Sequence, residues 1–155
     1  MPYEAYIKRG LLTPSGESAV DYHDVYNWFV RLIEEYRIYV LQIGYDKYSA
    51  QYLIQDLEAY GFHVEKVSQG SNLTGVINDT EGLIKEGRLQ CADDNDLMKV
   101  HWLDAALKIE DETNRRRLIK ISKNAHVDGV AALLDAMCMR HNHWEELQGQ
   151  LRNEE

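Results

Sequence analysis

Arg37-Ile38-Tyr39-Val40-Leu41-Gln42-Ile43-Gly44-Tyr45-Asp46 is the stretch whose reading decides the fold. Apolar and β-branched residues dominate it up to Gly44, and it ends by delivering a carboxylate. Such a run reads as a buried strand. Open α/β sheets hold their sites in the crevice at the carboxyl ends of their strands, so Asp46 is a candidate for chemistry. The competing reading is that Asp46 merely caps the helix that follows.

On either side of this strand the periodicity changes to that of helices. Upstream, Asp21 is placed to cap a helix in which Val25, Trp28, Phe29, Leu32, Ile33 and Tyr36 recur at helical spacing, with Trp28 and Phe29 on the core face. Residues 1–20, punctuated by Gly10, Pro14 and Gly16, read as a loop-like lead-in. Downstream, Ser49 can cap a helix whose face is Ala50, Leu53, Ile54 and Leu57, and which Gly61 stops. Phe62 to Val67 then alternates as a second strand. Strands joined through helices of this length run parallel, because a tight hairpin cannot connect a parallel pair. The fold class is therefore α/β, with parallel strands flanked by helices.

Further on, Leu73 to Ile84 predicts a helix ending near Gly87, and Arg88 to Ala92 a short edge strand. Asp93-Asp94-Asn95 caps a helix reaching about Leu103, and Ala105–Ile109 pairs with Arg117–Ile121 as a C-terminal β-hairpin across the polar turn 110–116. A last helix spans Val127 to Met139, with Val127, Val130, Ala131, Leu134, Met137 and Cys138 on its core face. The charged tail 145–155 is expected to fray.

A chain of 155 residues with 45% hydrophobic content supports one domain with a real core. Its 26 acids against 17 bases give a formal charge of -9, which argues against a nonspecific coat on nucleic acid or anionic membrane. Cys91 and Cys138 stand alone, without the paired spacing of a zinc site or a disulfide framework. No apolar run reaches the roughly 20 residues a membrane span needs, so a cytoplasmic protein with no membrane partner is expected. His63 and His101 lack partners at metal-ligand spacing, and His141-Asn142-His143 reads as a helix end.

Asp128 falls in the first turn of the last helix, beside Gly129, where the missing side chain admits close approach by a backbone or a ligand. A carboxylate there can bind a metal, or simply complement the helix dipole. Asp135, two turns further, reads as solvated. Immediately upstream, Thr113 to His126 contains no acid but holds Arg115, Arg116, Arg117, Lys120 and Lys123. In so acidic a chain this reversal is a candidate phosphate-contact patch; the alternative is a solvated hairpin tip.

The blocks Gly44-Tyr45-Asp46 through Gly61-Phe62, Val67-Ser68-Gln69-Gly70 and Val127-Asp128-Gly129-Val130-Ala131-Ala132-Leu133, in that order, resemble the carboxyl-terminal nuclease domain of tailed-phage terminase large subunits. The stretch Tyr3 to Gly16, followed by Val20-Asp21-Tyr22, resembles the lead-in of the same domain. The resemblance covers about residues 3–143, and residues 1–144 are the expected domain. It implies a ribonuclease H-like fold, here partial, and a metal-dependent endonuclease that cuts concatemeric viral DNA in the host cytoplasm. It also implies Asp46 and Asp128 as the second and third of three metal-binding acids holding two Mg2+ or Mn2+ ions.

The first acid lies upstream of the part matching Met1, as do the early antiparallel strands, which leaves an open sheet edge suited to self-association or to a missing segment. Two residues depart from the family pattern: His126 stands where an arginine is frequent, and Ser68 where a basic residue is common. The Gly-x-x-x-x-Gly-Lys-Ser/Thr string of the family's packaging ATPase is absent. Partners implied are double-stranded DNA, the ATPase part, the small subunit and the portal. The alternative is a non-catalytic assembly module that retains part of the fold.

Overall fold

The computed structural model describes residues 2–46, 51–68 and 70–152; the proposed cap Ser49, with Ala50 and Gln69, lies outside them. By contacts the chain divides into two compact units, 1–41 with 48–64, and 42–47 with 65–155.

In the first unit, α1 (Tyr3–Lys8) occupies part of the lead-in expected to be loop, and buries Tyr6. α2 (Tyr22–Glu34) starts where the sequence indicates: the Asp21 carboxylate accepts from the His23 N–H at 2.9 Å. Ser15 Oγ accepts from the Asp21 N–H and donates to the Asp24 carboxylate, tying the lead-in to that helix start. The turn between them requires Gly16, since its φ is +61° and a Cβ would lie 1.9 Å from the Ala19 carbonyl oxygen. α3 (Gln51–Tyr60) packs on α2 through Leu53 and Leu57, and Gly61 ends it at φ +112°. Edge-to-face contacts join Tyr22 to Tyr52 and Tyr26 to Tyr60 across the two helices. Trp28, expected in the core, is 53% exposed and packs edge-on against its neighbour Phe29.

The deciding stretch is a strand only at its end. Arg37 adopts φ +56° and the Ile38 N–H donates to the Leu32 carbonyl at 2.8 Å, so Arg37 and Ile38 belong to the left-handed termination of α2. Pairing is confined to β1 (Ile43–Tyr45), the first strand of the second unit. β1 lies parallel to β2 (Val64–Lys66), and the Val67 N–H donates to the Tyr45 carbonyl at 2.7 Å.

In the second unit a 3-10 turn, Ser71–Leu73, leads into α4 (Thr74–Lys85). The edge strand expected at 88–92 does not form: the Arg88 and Leu89 N–H groups fold back onto the Leu83 carbonyl. α5 (Asp96–Leu103) is capped by Asn95, whose side chain accepts from the Met98 N–H. β3 (Ala105–Ile109) pairs antiparallel with β4 (Arg116–Lys120), one residue earlier than predicted. α6 (Asp128–Asn142) follows, and α7 (Trp144–Arg152) is helical where a frayed tail was expected. Val67, Leu73, Val76, Ile77, Leu134, Met137 and Met139 form one buried cluster, with Leu107 and Leu118 of the hairpin against it. Each such side chain removed from water contributes about 1.5–3 kcal/mol, so α6, central to this cluster, fixes the frame of the unit. Thr80, the buried polar residue in this layer, donates to the Val76 carbonyl of its own helix.

Candidate functional site

Asp46 follows β1 directly and is half-buried; Asp128 is the first residue of α6 and is exposed. Both belong to the second unit, on elements that pack together. The contact is close at Gly44, where a Cβ would stand 2.7 Å from the Asp135 carbonyl oxygen and 3.1 Å from Met139 Cγ. β1 therefore crosses α6 at the level of Asp135–Met139. Asp128 sits seven residues before Asp135, a rise of about 10 Å along the axis. Asp135, expected to be solvated, is half-buried, with its backbone against the strand.

Gly129 does admit close approach, but by the protein itself. Its N–H donates to His101 Nδ1 at 2.7 Å, and a Cβ there would meet that atom at 2.8 Å and Met98 Sδ at 2.9 Å. The imidazole thus carries its proton on Nε2. The Asp104 carboxylate accepts from the His126 N–H at 2.8 Å, and the Asp104 carbonyl from the Ile121 N–H at 3.0 Å.

The basic stretch is divided by the hairpin geometry. Arg116 is half-buried and paired with Glu81 of α4 at 2.8 Å, while its N–H donates to Thr74 Oγ1; it anchors the hairpin rather than facing solvent. Arg115, Arg117, Lys120 and Lys123 are exposed. Opposite Arg117 in the ladder stands exposed Lys108, on the face away from Leu107 and Leu118. Two like charges placed directly across a ladder repel, and an anion between them relieves this. No acid-free run marks Lys108 in the sequence, and only the hairpin register brings it to Arg117.

The sequence matches the family described as terminase large subunit, endonuclease domain, over residues 1–144. The chain belongs to that family. Its fold matches the crystal structure of the large terminase of bacteriophage HK97 with a TM-score of 0.73 at 19% identity, over 88% of this chain. The chain spans 28% of the length of that protein. No curated protein matches significantly. The architecture is accordingly that of a ribonuclease H-like terminase nuclease domain, with a parallel strand pair, an antiparallel hairpin and flanking helices.

Whether these residues fit the two ions that the family resemblance implies is a matter of donor number. A hard divalent cation takes six or more oxygen ligands, and two ions about 4 Å apart need several carboxylates to offset their charge. No group of three His, Cys, Asp or Glu side chains suited to a metal occurs among the described residues. Asp46 and Asp128 are the two carboxylates that the resemblance implies for such a site.

A separate polar cluster lies at the end of α6, where the sequence reads only a helix terminus. His143 Nε2 lies 2.8 Å from Glu65 of β2, Asn142 donates to the same carboxylate, and Glu146 of α7 is 3.4 Å from His143 Nδ1. His141 Nδ1 lies 2.8 Å from Asp79 of α4, and Arg140 stacks over Trp144. The hydrogen bond to Glu65 raises the His143 pKa above 6.5, against the opposing effect of burial, with Glu146 adding to the rise. A raised histidine pKa contributes stability that is fully present below 6.5 and is lost as pH climbs through the folded-state value. Glu65→Gln is expected to bring the His143 midpoint, followed by NMR, back toward 6.5 and to flatten the decline of melting temperature above that pH. Burial pushes the Cys138 thiol up, helped by Glu65 and Asp135, so it is held as an inert thiol. Both cysteines are free.

Proposed function

We propose that this chain is the nuclease part of a phage DNA-packaging terminase, acting on double-stranded concatemeric DNA in the cytoplasm of the infected cell. The observation that carries this reading is the order of three features within one family-matched unit: Asp46 at the carboxyl end of β1, the basic hairpin, and Asp128 heading the helix on which β1 packs. In this reading Asp46 and Asp128 are catalytic carboxylates that contribute donors to Mg2+ or Mn2+, and at least one more donor comes from outside the described residues. The ions supply the Lewis acidity for phosphodiester hydrolysis. Arg115, Arg117, Lys120 and Lys123, joined by Lys108, hold the DNA backbone, and Arg116 braces them through Glu81. The ATPase part, the small subunit and the portal are the partners of this assembly. Among the described residues β1 pairs with β2 alone, and in this reading its other edge takes a further strand or a second copy.

A second reading, a non-catalytic assembly module, is favoured by one observation: no three-donor group forms among the described residues. Manganese calorimetry beside nicking of supercoiled plasmid separates the two. The nuclease reading expects binding and cleavage in the parent chain, with both reduced at least about 100-fold in Asp46→Asn and in Asp128→Asn, as for loss of groups that act on developing charge. A parent chain that neither binds nor cleaves, while still joining a packaging complex, gives the module reading.

A further inference from the structure

We infer that the carboxyl end of α5 is a positioning clamp, in which His101 and Asp104 fix the segment 121–129 so that Lys123 meets the DNA backbone beside the start of α6. This rests on the proposal that the basic segment contacts DNA.

Three backbone amides of the segment are held from this one helix end: Ile121 by the Asp104 carbonyl, His126 by the Asp104 carboxylate, and Gly129 by His101 Nδ1. Between them the chain makes a turn closed by the Ala125 N–H on the Ser122 carbonyl, and Ala125 and Val127 are buried. Lys123 rises exposed from that turn. α6 itself has no side-chain cap at Val127, so the imidazole of a different helix satisfies one of the amides its first turn leaves open. Gly129 favours this, because a Cβ there would stand only 2.8 Å from the ring nitrogen and push the imidazole away.

The clamp explains a feature that electrostatics alone does not. Asp104 places a carboxylate one residue before Ala105, whose ladder partner is Lys120, where a negative charge weakens phosphate attraction. Its presence there is accounted for by the His126 amide that the carboxylate holds. A segment that spends only a fraction of its time in the binding arrangement has its affinity reduced by that fraction, and each clamp bond raises the fraction.

The test uses the full chain, a fluorescent 30-base-pair duplex, and binding isotherms over a range of salt. His101→Ala and Asp104→Ala are expected to weaken binding about 3- to 10-fold, the effect of one net hydrogen bond. The slope of affinity against salt stays unchanged, because no cation has been removed. Lys123→Ala instead lowers the slope by about 0.9. Asp104→Asn and His101→Asn keep a side-chain oxygen able to accept, and should restore binding to within about twofold, with Gly129 and His126 amide exchange again protected. Asp104→Ala and Asp104→Asn remove the same charge, so the difference between them isolates the hydrogen bond.

If both alanine variants bind as the parent does while Lys123→Ala is weakened, the clamp is overturned and the DNA reading stands. Equal weakening by alanine and asparagine overturns it in favour of simple packing. Absence of salt-dependent duplex binding by the parent overturns the DNA reading, and the clamp with it.

Discussion

Gly44→Ala is expected to lower the melting temperature by about 2–12 °C, from a loss of about 1–3 kcal/mol, although it adds a single methyl group. The reason lies in what that methyl meets. At 2.7 Å from the Asp135 carbonyl oxygen and 3.1 Å from its carbon, it collides with helix backbone, which has no rotamer to escape into. β1 must lift from α6, and Leu134, Met137 and Met139, which lie in the buried cluster on that helix, lose packing with it. Asp46, two residues further along, moves with the strand. Activity is therefore expected to fall more than stability at temperatures where the variant is still folded. A variant whose melt and cleavage both match the parent would show that β1 does not rest on α6 at this position.

The second large effect is electrostatic. Lys108→Ala with Arg117→Ala is expected to weaken duplex binding roughly 10- to 60-fold near 0.1 M salt, and to reduce the salt slope by about 1.8. The two side chains face each other across the hairpin, so their repulsion in the free protein is relieved by removing either one. The single variants should thus melt at or slightly above the parent temperature while binding DNA less well. Arg116→Ala should behave in the opposite sense, losing stability through the uncompensated Glu81 carboxylate with little change in slope. Parent-like isotherms for the double variant would remove the hairpin from the DNA interface.

What the sequence made legible is what short-range physics controls. The Asp21 cap, the Gly61 stop, the Asn95 cap and the hairpin, to within one residue, all depend on neighbours a few positions away. The strand ending at Asp46 and the helix headed by Asp128 were also readable, as was their family. The strand was read too long because an arginine in the left-handed region at Arg37 is not signalled by its residue type, as a glycine would be. Arg116 looked like its neighbours until Glu81, 35 residues away, claimed it. His101 and Asp104 carried no pattern at all, since their partners are backbone amides 17 to 28 residues downstream, and an amide has no signature in a sequence. At the candidate site the sequence named Asp46 and Asp128 as acids, but the elements that pack around them, β1 on α6, came only from the fold.

The division of the chain into units bears on how the domain is made. The backbone enters the second unit for residues 42–47, returns to the first for 48–64, and re-enters the second only at 65. During synthesis the first unit can assemble as soon as residue 64 has emerged, whereas Ile43 and Gly44 wait for β2 and then for α6, more than eighty residues later. The strand that Asp46 follows thus waits for partners that emerge later, at about 5–20 residues per second, and in that interval can meet chaperones or pair with another nascent copy. Slow codons or a held ribosome between residues 67 and 128 would lengthen that interval, and aggregation during expression should rise with it.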